Sequence, residues 1–233
     1  MSLTGKYSIG ILFTFILLAG VMLYVLPVMN TISETQNITA EKFFYSRVIL
    51  WIVLLLIFFY SLFTEKGPFL LYIEKKYPFL FYAKAVIVLY LICCVGATVL
   101  NVLIQTAVNE NLSPKLAQLQ SLFRNNYFLI IFTCLSAGVV EELLMRGYIQ
   151  SRVEKIYGNQ YFGIFVSAIL FGILHSTYGT LSQVLIPLFI GIVFAMFYKL
   201  YSNIKILIIC HFMYDFISIM IMNFVEIKNL SAF

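Results

Sequence analysis

An all-α fold, a polytopic transmembrane helical bundle of about seven spans, is what this 233-residue sequence predicts. Hydrophobic residues make up 62% of the chain and charged residues only 11%, a balance outside the range of ordinary soluble domains. The apolar residues are gathered into runs at 7–29, 47–63, 85–104, 127–145, 161–175, 184–201 and 204–224, and a spanning helix needs about 20 such residues. Apart from Arg47, Lys199 and Lys205 near run ends, the ionisable residues in or just past those runs are few and grouped: Glu141, Glu142 and Arg146, then His175, then His211 and Asp215. Ionisable groups are expensive at membrane depth, so their recurrence there marks a functional site. The fifth run is short for a full crossing, which leaves six to eight spans compatible with the same pattern.

The first run is too long for a signal-peptide core and lacks a small-x-small cleavage pattern after it, so a retained helix is expected. Positive charge sets the orientation. With the N-terminus in the cytoplasm, that side receives Lys6; Lys66, Lys75, Lys76 and Lys84; Arg146, Arg152 and Lys155; and Lys199 and Lys205. Lys42, Arg47, Lys115, Arg124 and Lys228 fall outside. Ten of the fifteen cations are therefore internal, which favours a multi-pass protein of the cell membrane with an external C-terminus. The net charge of +5 follows from this loop topology, and no basic run points to nucleic acid. Cys93, Cys94, Cys134 and Cys210 all fall in apolar runs without metal-finger spacing and read as small buried side chains. No internal repeat or linker divides the chain, so residues 1–233 form one integral membrane domain whose partner is the lipid bilayer. Nothing in the sequence sets an oligomeric state.

Two connections carry their own pattern. Between Lys66 and Lys84, Pro68 and Pro78 are interleaved with Phe69, Leu70, Leu71, Tyr72, Phe79 and Phe81, as in an interfacial anchor. Ser113 and Pro114 read as an N-cap and first turn. Leu116, Leu119, Leu122 and Phe123 then share one helical face, which predicts a surface-lying helix, with a lid as the lesser reading.

Glu142 and Arg146 stand at i and i+4, the spacing and order of an ion pair on one face. Glu141 points about 100° away and can face a cavity. A poorly hydrated pocket makes a carboxylate a better proton acceptor toward water, the property a general base needs. The bland alternative is a helix leaving the bilayer. Gly158 and Asn159 are a turn signal, with Glu141 seventeen residues before Gly158 and His175 seventeen after it. In an antiparallel hairpin, equal distances place both at one depth, about 25 Å from the turn. That turn, flanked by Arg152, Glu154 and Lys155, is expected to project into the cytoplasm, with the meeting point in the cytoplasmic part of the bilayer. Phe171, one turn before His175, can pack beside the imidazole and limit water. His211 and Asp215 again share a face at i and i+4. A carboxylate on one ring nitrogen fixes the tautomer and leaves the other for chemistry. Hydrogen-bonded glue between helices is the plainer alternative.

In this order, Glu-Glu-x-x-x-Arg at 141–146, Phe-x-x-x-His at 171–175 and His-x-x-x-Asp at 211–215 resemble the three signatures of the CAAX-protease and bacteriocin-processing family. The family is also called the type II CAAX prenyl endopeptidase or Abi family. The resemblance lies in the motif-bearing core at about 127–224 and reaches the first three helices only through their hydrophobicity. It implies an intramembrane glutamic endopeptidase, a hydrolase, with Glu141 activating water and His175 positioning it. His211 and the residue at 215 would stabilise the oxyanion, and Glu142, Arg146 and Phe171 would support the site. The third motif is commonly written with Asn where this chain has Asp215. An ionised Asp cannot donate a hydrogen bond to an oxyanion, so Asp215 is protonated or orients His211, and the second role is favoured.

The resemblance implies no cofactor. A divalent metal is the disfavoured alternative: Glu, His and Asp can all ligate one, but His-Glu-x-x-His is absent and Arg146 follows the acidic pair. No Gly-x-Ser-x-Gly elbow accompanies Ser176, and Cys134 and Cys210 lack a catalytic context, while Ser136 reads as a packing residue beside Ala137 and Gly138. A non-proteolytic scaffold on the same fold and, less favoured, a proton-coupled transporter using Pro187 and Gly191 as kink points are the competing classes. The excess of Lys over Arg, 11 to 4, resembles a low-GC bacterial protein. Together with the family this points to a membrane-associated peptide or protein substrate in bacterial peptide processing or immunity.

Overall fold

The computed structural model describes residues 1–33, 37–110 and 114–224, and every regular element within them is helical. Ser113 and Lys228, named above as a cap and as an external cation, lie outside the described residues. Numbered in chain order, α1 (Leu3–Ile32), α2 (Ala40–Glu65), α3 (Phe79–Val108), α5 (Tyr127–Tyr157), α6 (Gln160–Thr177), α7 (Ser182–Tyr201) and α8 (Ile204–Phe224) are each long and apolar enough to cross a membrane. The short α4 (Pro114–Phe123) lies between α3 and α5. The chain is a multi-pass membrane protein.

Each apolar run lies within one observed helix, and most helices extend past their runs because polar residues cap them. The Thr39 hydroxyl accepts from the Lys42 amide at 3.3 Å, so α2 starts at Ala40 and residue 47 is already well inside it. At the predicted hairpin, Gly158 takes φ +63° and its amide donates to the Glu154 carbonyl at 2.8 Å, ending α5. The Asn159 side chain then accepts from the Tyr161 and Phe162 amides at 2.9 and 3.2 Å and starts α6. The two helices press together: a Cβ on Gly163 would lie 2.8 Å from the Gln150 carbonyl oxygen.

Side chains on the inner faces form three cores. Leu50, Val53 and Ile57 of α2 pack with Val140, Leu144 and Tyr148 of α5 and with Phe171 of α6. Leu89 and Cys93 of α3 meet Phe194 and Tyr198 of α7 and Leu207 and Cys210 of α8. Phe43, Phe123, Ile130 and Cys134 form the third, at the α4 end of the bundle. Large apolar residues such as Leu12, Leu55, Val95 and Ile131 cover the outside, as lipid contact requires.

The segment from Lys66 to Lys84 is more than the interfacial anchor expected. Phe69 stacks 5.5 Å from Tyr148 and Tyr72 lies 5.0 Å from Tyr198, while the Asn203 amide donates to the Lys75 carbonyl at 2.7 Å. Ile73 and Phe79 remain exposed. Arg152 also departs from expectation. It does not project with the hairpin turn but is fully buried, with Nε and Nη2 donating to the Glu65 carboxylate at 2.5 to 3.0 Å and Nη1 to the Phe69 carbonyl at 2.9 Å. The Tyr148 hydroxyl donates to Glu65 at 2.6 Å. An arginine on the first turn of a protruding end can fold back onto a carboxylate that a neighbouring helix presents, and burial strengthens their attraction.

Removing one partner of this pair strands the other. Glu65→Ala should lower stability by about 3–5 kcal/mol, whereas Glu65→Met with Arg152→Met should cost much less. Thermal unfolding of the purified protein in detergent measures both.

Candidate active site

Helix α5 is not uniformly α-helical around the acidic pair. Ala137–Glu141 and Leu143–Gln150 are π-helical on either side of Glu142, with wider turns closed by i→i+5 bonds of the kind that gather at functional sites. Two contacts fix this stretch. The Trp51 indole donates to the Ser136 hydroxyl at 2.9 Å, tying α5 to α2. On the other side Gly138 admits α8, since a Cβ there would stand 2.9 Å from the Ile208 carbonyl oxygen and 3.1 Å from the Phe212 amide. Ser136 and Gly138 therefore serve close packing, and α8 is brought near enough for His211 to reach α5.

Glu142 has no exposed surface, and its Oε1 accepts from Arg146 Nη1 at 2.9 Å and from His211 Nδ1 at 2.8 Å. The ion pair with Arg146 is the one the spacing predicts. The bond to His211 was not legible in the sequence, where Asp215 stood as the orienting carboxylate. Asp215 Oδ2 instead lies 3.5 Å from His211 Nε2, so a carboxylate faces each ring nitrogen. Arg146 is also buried, with its guanidinium carbon 4.4 Å from the Phe171 ring centroid.

His175 follows the last α-helical residue of α6 and opens a 3₁₀ turn. Its Nδ1 bonds the Phe171 carbonyl at 2.8 Å. A carbonyl only accepts, so Nδ1 carries the proton and Nε2 is the basic nitrogen of the neutral ring. The Phe171 ring lies 4.6 Å from His175 and 6.1 Å from His211, beside the imidazole as expected. The turn after His175 is held by Glu110, whose carboxylate accepts from the Leu181 and Ser182 amides and from the Ser182 hydroxyl. The Ser182 hydroxyl, ahead of those amides, holds the Glu110 carboxyl below the usual carboxylate range.

Glu141, His175, His211 and Asp215 all line one cavity of about 440 Å³. Glu142 and Arg146 are behind its wall. The matched distances from Gly158 thus do bring Glu141 and His175 to one cavity. The lining comes from the ends of the helices far from the Gly158 turn: Phe43 and Arg47 of α2, Thr133 of α5, Ser182 of α7 and Met222 of α8. Leu116, Leu119 and Phe123 of α4 also line it, so α4 roofs the cavity and is not simply a surface helix. Lys115 donates to the Thr177 carbonyl and Gln120 to the Met222 carbonyl at 2.7 Å, which ties the roof to α6 and α8.

Arg47 is a site residue that the sequence concealed. Its guanidinium carbon is 4.7 Å from the Phe43 ring and within electrostatic range of Asp215, and among the described residues its buried Nε has no hydrogen-bond partner. With the second span expected to begin at residue 47, this cation read as a loop charge. Among the described residues no three His, Cys, Asp or Glu side chains are grouped as one metal ion's ligands.

Residues 123–217 match the family model described as Type II CAAX prenyl endopeptidase Rce1-like. That segment is similar to Rce1-like domains. It runs from the end of α4 to just beyond Asp215 and holds all three motifs, as their resemblance implied. The match leaves α1 to α3, including Arg47, outside the matched residues. Comparison with curated proteins and with solved structures returns no match.

The two adjacent glutamates should respond differently to loss of charge. Glu142→Gln leaves buried Arg146 without its counter-ion and should cost about 3–5 kcal/mol, whereas Glu141→Gln, on a cavity wall, should change stability by less than about 1 kcal/mol. Unfolding midpoints of the two purified variants make the comparison.

Proposed function

We propose that the protein is an intramembrane endopeptidase of the cell membrane that hydrolyses a membrane-associated peptide or protein with water activated by Glu141. One arrangement supports this above all: Glu141, His175, His211 and Asp215 share a cavity, while Glu142 is already engaged by Arg146 and His211. Glu142 is buried behind the cavity wall, out of reach of a water in the cavity, which leaves Glu141 as the base.

In this mechanism a water held by His175 gives a proton to Glu141 as its oxygen attacks the scissile carbonyl carbon. The carbonyl π electrons move onto oxygen. His211 is fixed by Glu142 through Nδ1, and in its doubly protonated form it donates from Nε2 to that oxyanion. Collapse of the intermediate breaks the C–N bond, and Glu141 returns its proton to the leaving amine. Asp215 faces Nε2 and stabilises the charge on His211. Arg47 offsets the negative charge of Asp215, which stands where the family commonly has a neutral Asn. No step requires a metal ion. The bacterial character of the composition and the family's peptide-processing members support a role in peptide processing or immunity.

The test is cleavage of a peptide library by purified protein in proteoliposomes, read by mass spectrometry. Glu141→Gln should lower turnover by about 10²–10⁴-fold, and strong chelators should leave the natural protein active. Activity that survives Glu141→Gln, or that disappears with chelation and returns with a divalent metal, would overturn the mechanism. In the same assay Asp215→Asn should keep activity within about tenfold of the natural protein, a difference of about 1.4 kcal/mol in the barrier. Arg47→Gln should lower it by about tenfold or more, an effect that adding Asp215→Asn reverses in part.

A further inference from the structure

Burial changes the charge count that sets orientation. Of the cations assigned to the Gly158 end of the bundle, Arg146 and Arg152 are buried in ion pairs and face no aqueous phase. Lys66, Lys75, Lys76, Lys84, Lys155 and Lys205 remain exposed there. At the α4 end Lys42 is buried and Arg47 lies in the cavity wall, leaving Lys115 and Arg124 as the exposed cations among the described residues. The N-terminus is at the Gly158 end, since the Tyr60 hydroxyl near the end of α2 donates to the Lys6 carbonyl at 2.9 Å. The exposed lysines of that end sit on or beside short loops, where excess positive charge marks the cytoplasmic side.

The cavity lies toward the other end. Its walls are the start of α2, the first part of α5, the end of α6, the start of α7 and the last part of α8, and its roof is α4. No residue of the loops at the Gly158 end contributes to it. Exposed positive charge is thus concentrated at one end of the bundle, six lysines against Lys115 and Arg124, while the carboxylates of the cavity lie toward the other.

We infer that the site receives its substrate from the extracytoplasmic face, as an apolar peptide segment lying at the outer leaflet that passes beside α4 to reach Glu141. The chemistry done there rests on the proteolytic reading; the orientation does not. The mouth suits such a segment, because Leu116, Leu119 and Phe123 present apolar surface above the polar floor of Glu141, His175 and Asp215.

Single-cysteine variants test this without any need for turnover. In a background with the four native cysteines replaced, Arg124→Cys marks the α4 end, Lys76→Cys and Lys155→Cys mark the Gly158 end, and Ser218→Cys lies in the cavity wall on an exposed position. A membrane-impermeant maleimide applied to intact cells should label Arg124→Cys and Ser218→Cys, and should label Lys76→Cys and Lys155→Cys only after permeabilisation. The opposite pattern overturns the orientation. Labelling of Arg124→Cys with Ser218→Cys reached only after permeabilisation overturns external access to the cavity. Labelling as expected in a protein that cleaves no peptide leaves the orientation standing and rejects the protease reading instead.

Discussion

A single carboxylate oxygen joins two of the three helices that hold the candidate site. Glu142 Oε1 accepts at once from Arg146, one turn along α5, and from His211 on α8, with no solvent to share the load. In a low-dielectric interior such charge-assisted bonds are strong when made and costly when broken. They set the rotation of α8 against α5, and with it the direction of His211 Nε2 and the position of Asp215. Gly138 makes the arrangement possible by letting the α8 backbone approach, and the π-helical turns on either side of Glu142 let adjacent glutamates serve opposite sides of the cavity wall.

The bundle is thereby divided along its length. Toward the Gly158 turn it is dense and locked, with Arg152 and Glu65 buried together and Phe69 and Tyr72 packed over the helix ends. Toward α4 it opens into the cavity, and tethers such as Lys115 to Thr177 and Glu110 to Ser182 hold the surrounding loops. The proposed reaction needs this asymmetry, since water must reach one side of the proposed base while the rest of the bundle excludes it.

The spans were legible because twenty-residue apolar runs have few other interpretations. The meeting of Glu141 and His175 in one cavity was legible too, from equal distances to Gly158, as was the Glu142–Arg146 pair from its spacing. Three features were hidden, each for a physical reason. Glu142 reaches His211 across 69 residues only because helices cross at Gly138, which no local pattern encodes. Arg152 finds Glu65 across 87 residues, so a side chain read as solvated is buried. Arg47 was masked by a helix boundary: hydrophobicity starts α2 near residue 47, but the Thr39 cap starts it at Ala40. The end of the bundle at which the cavity lies depends on which parts of five spanning helices and α4 line it, and that too belongs to the packing.

The central claim is that Glu141 is the base of a peptidase. Mass spectrometry of membrane and secreted peptides from cells making the natural protein, set against cells making Glu141→Gln at equal abundance, addresses it most directly. Disappearance of specific peptides with accumulation of their longer precursors in the Glu141→Gln cells is the predicted result, and it names the substrate as well. An identical peptide profile in the two, under conditions where loss of the whole protein has a phenotype, would contradict it and leave a membrane scaffold with the geometry of an enzyme.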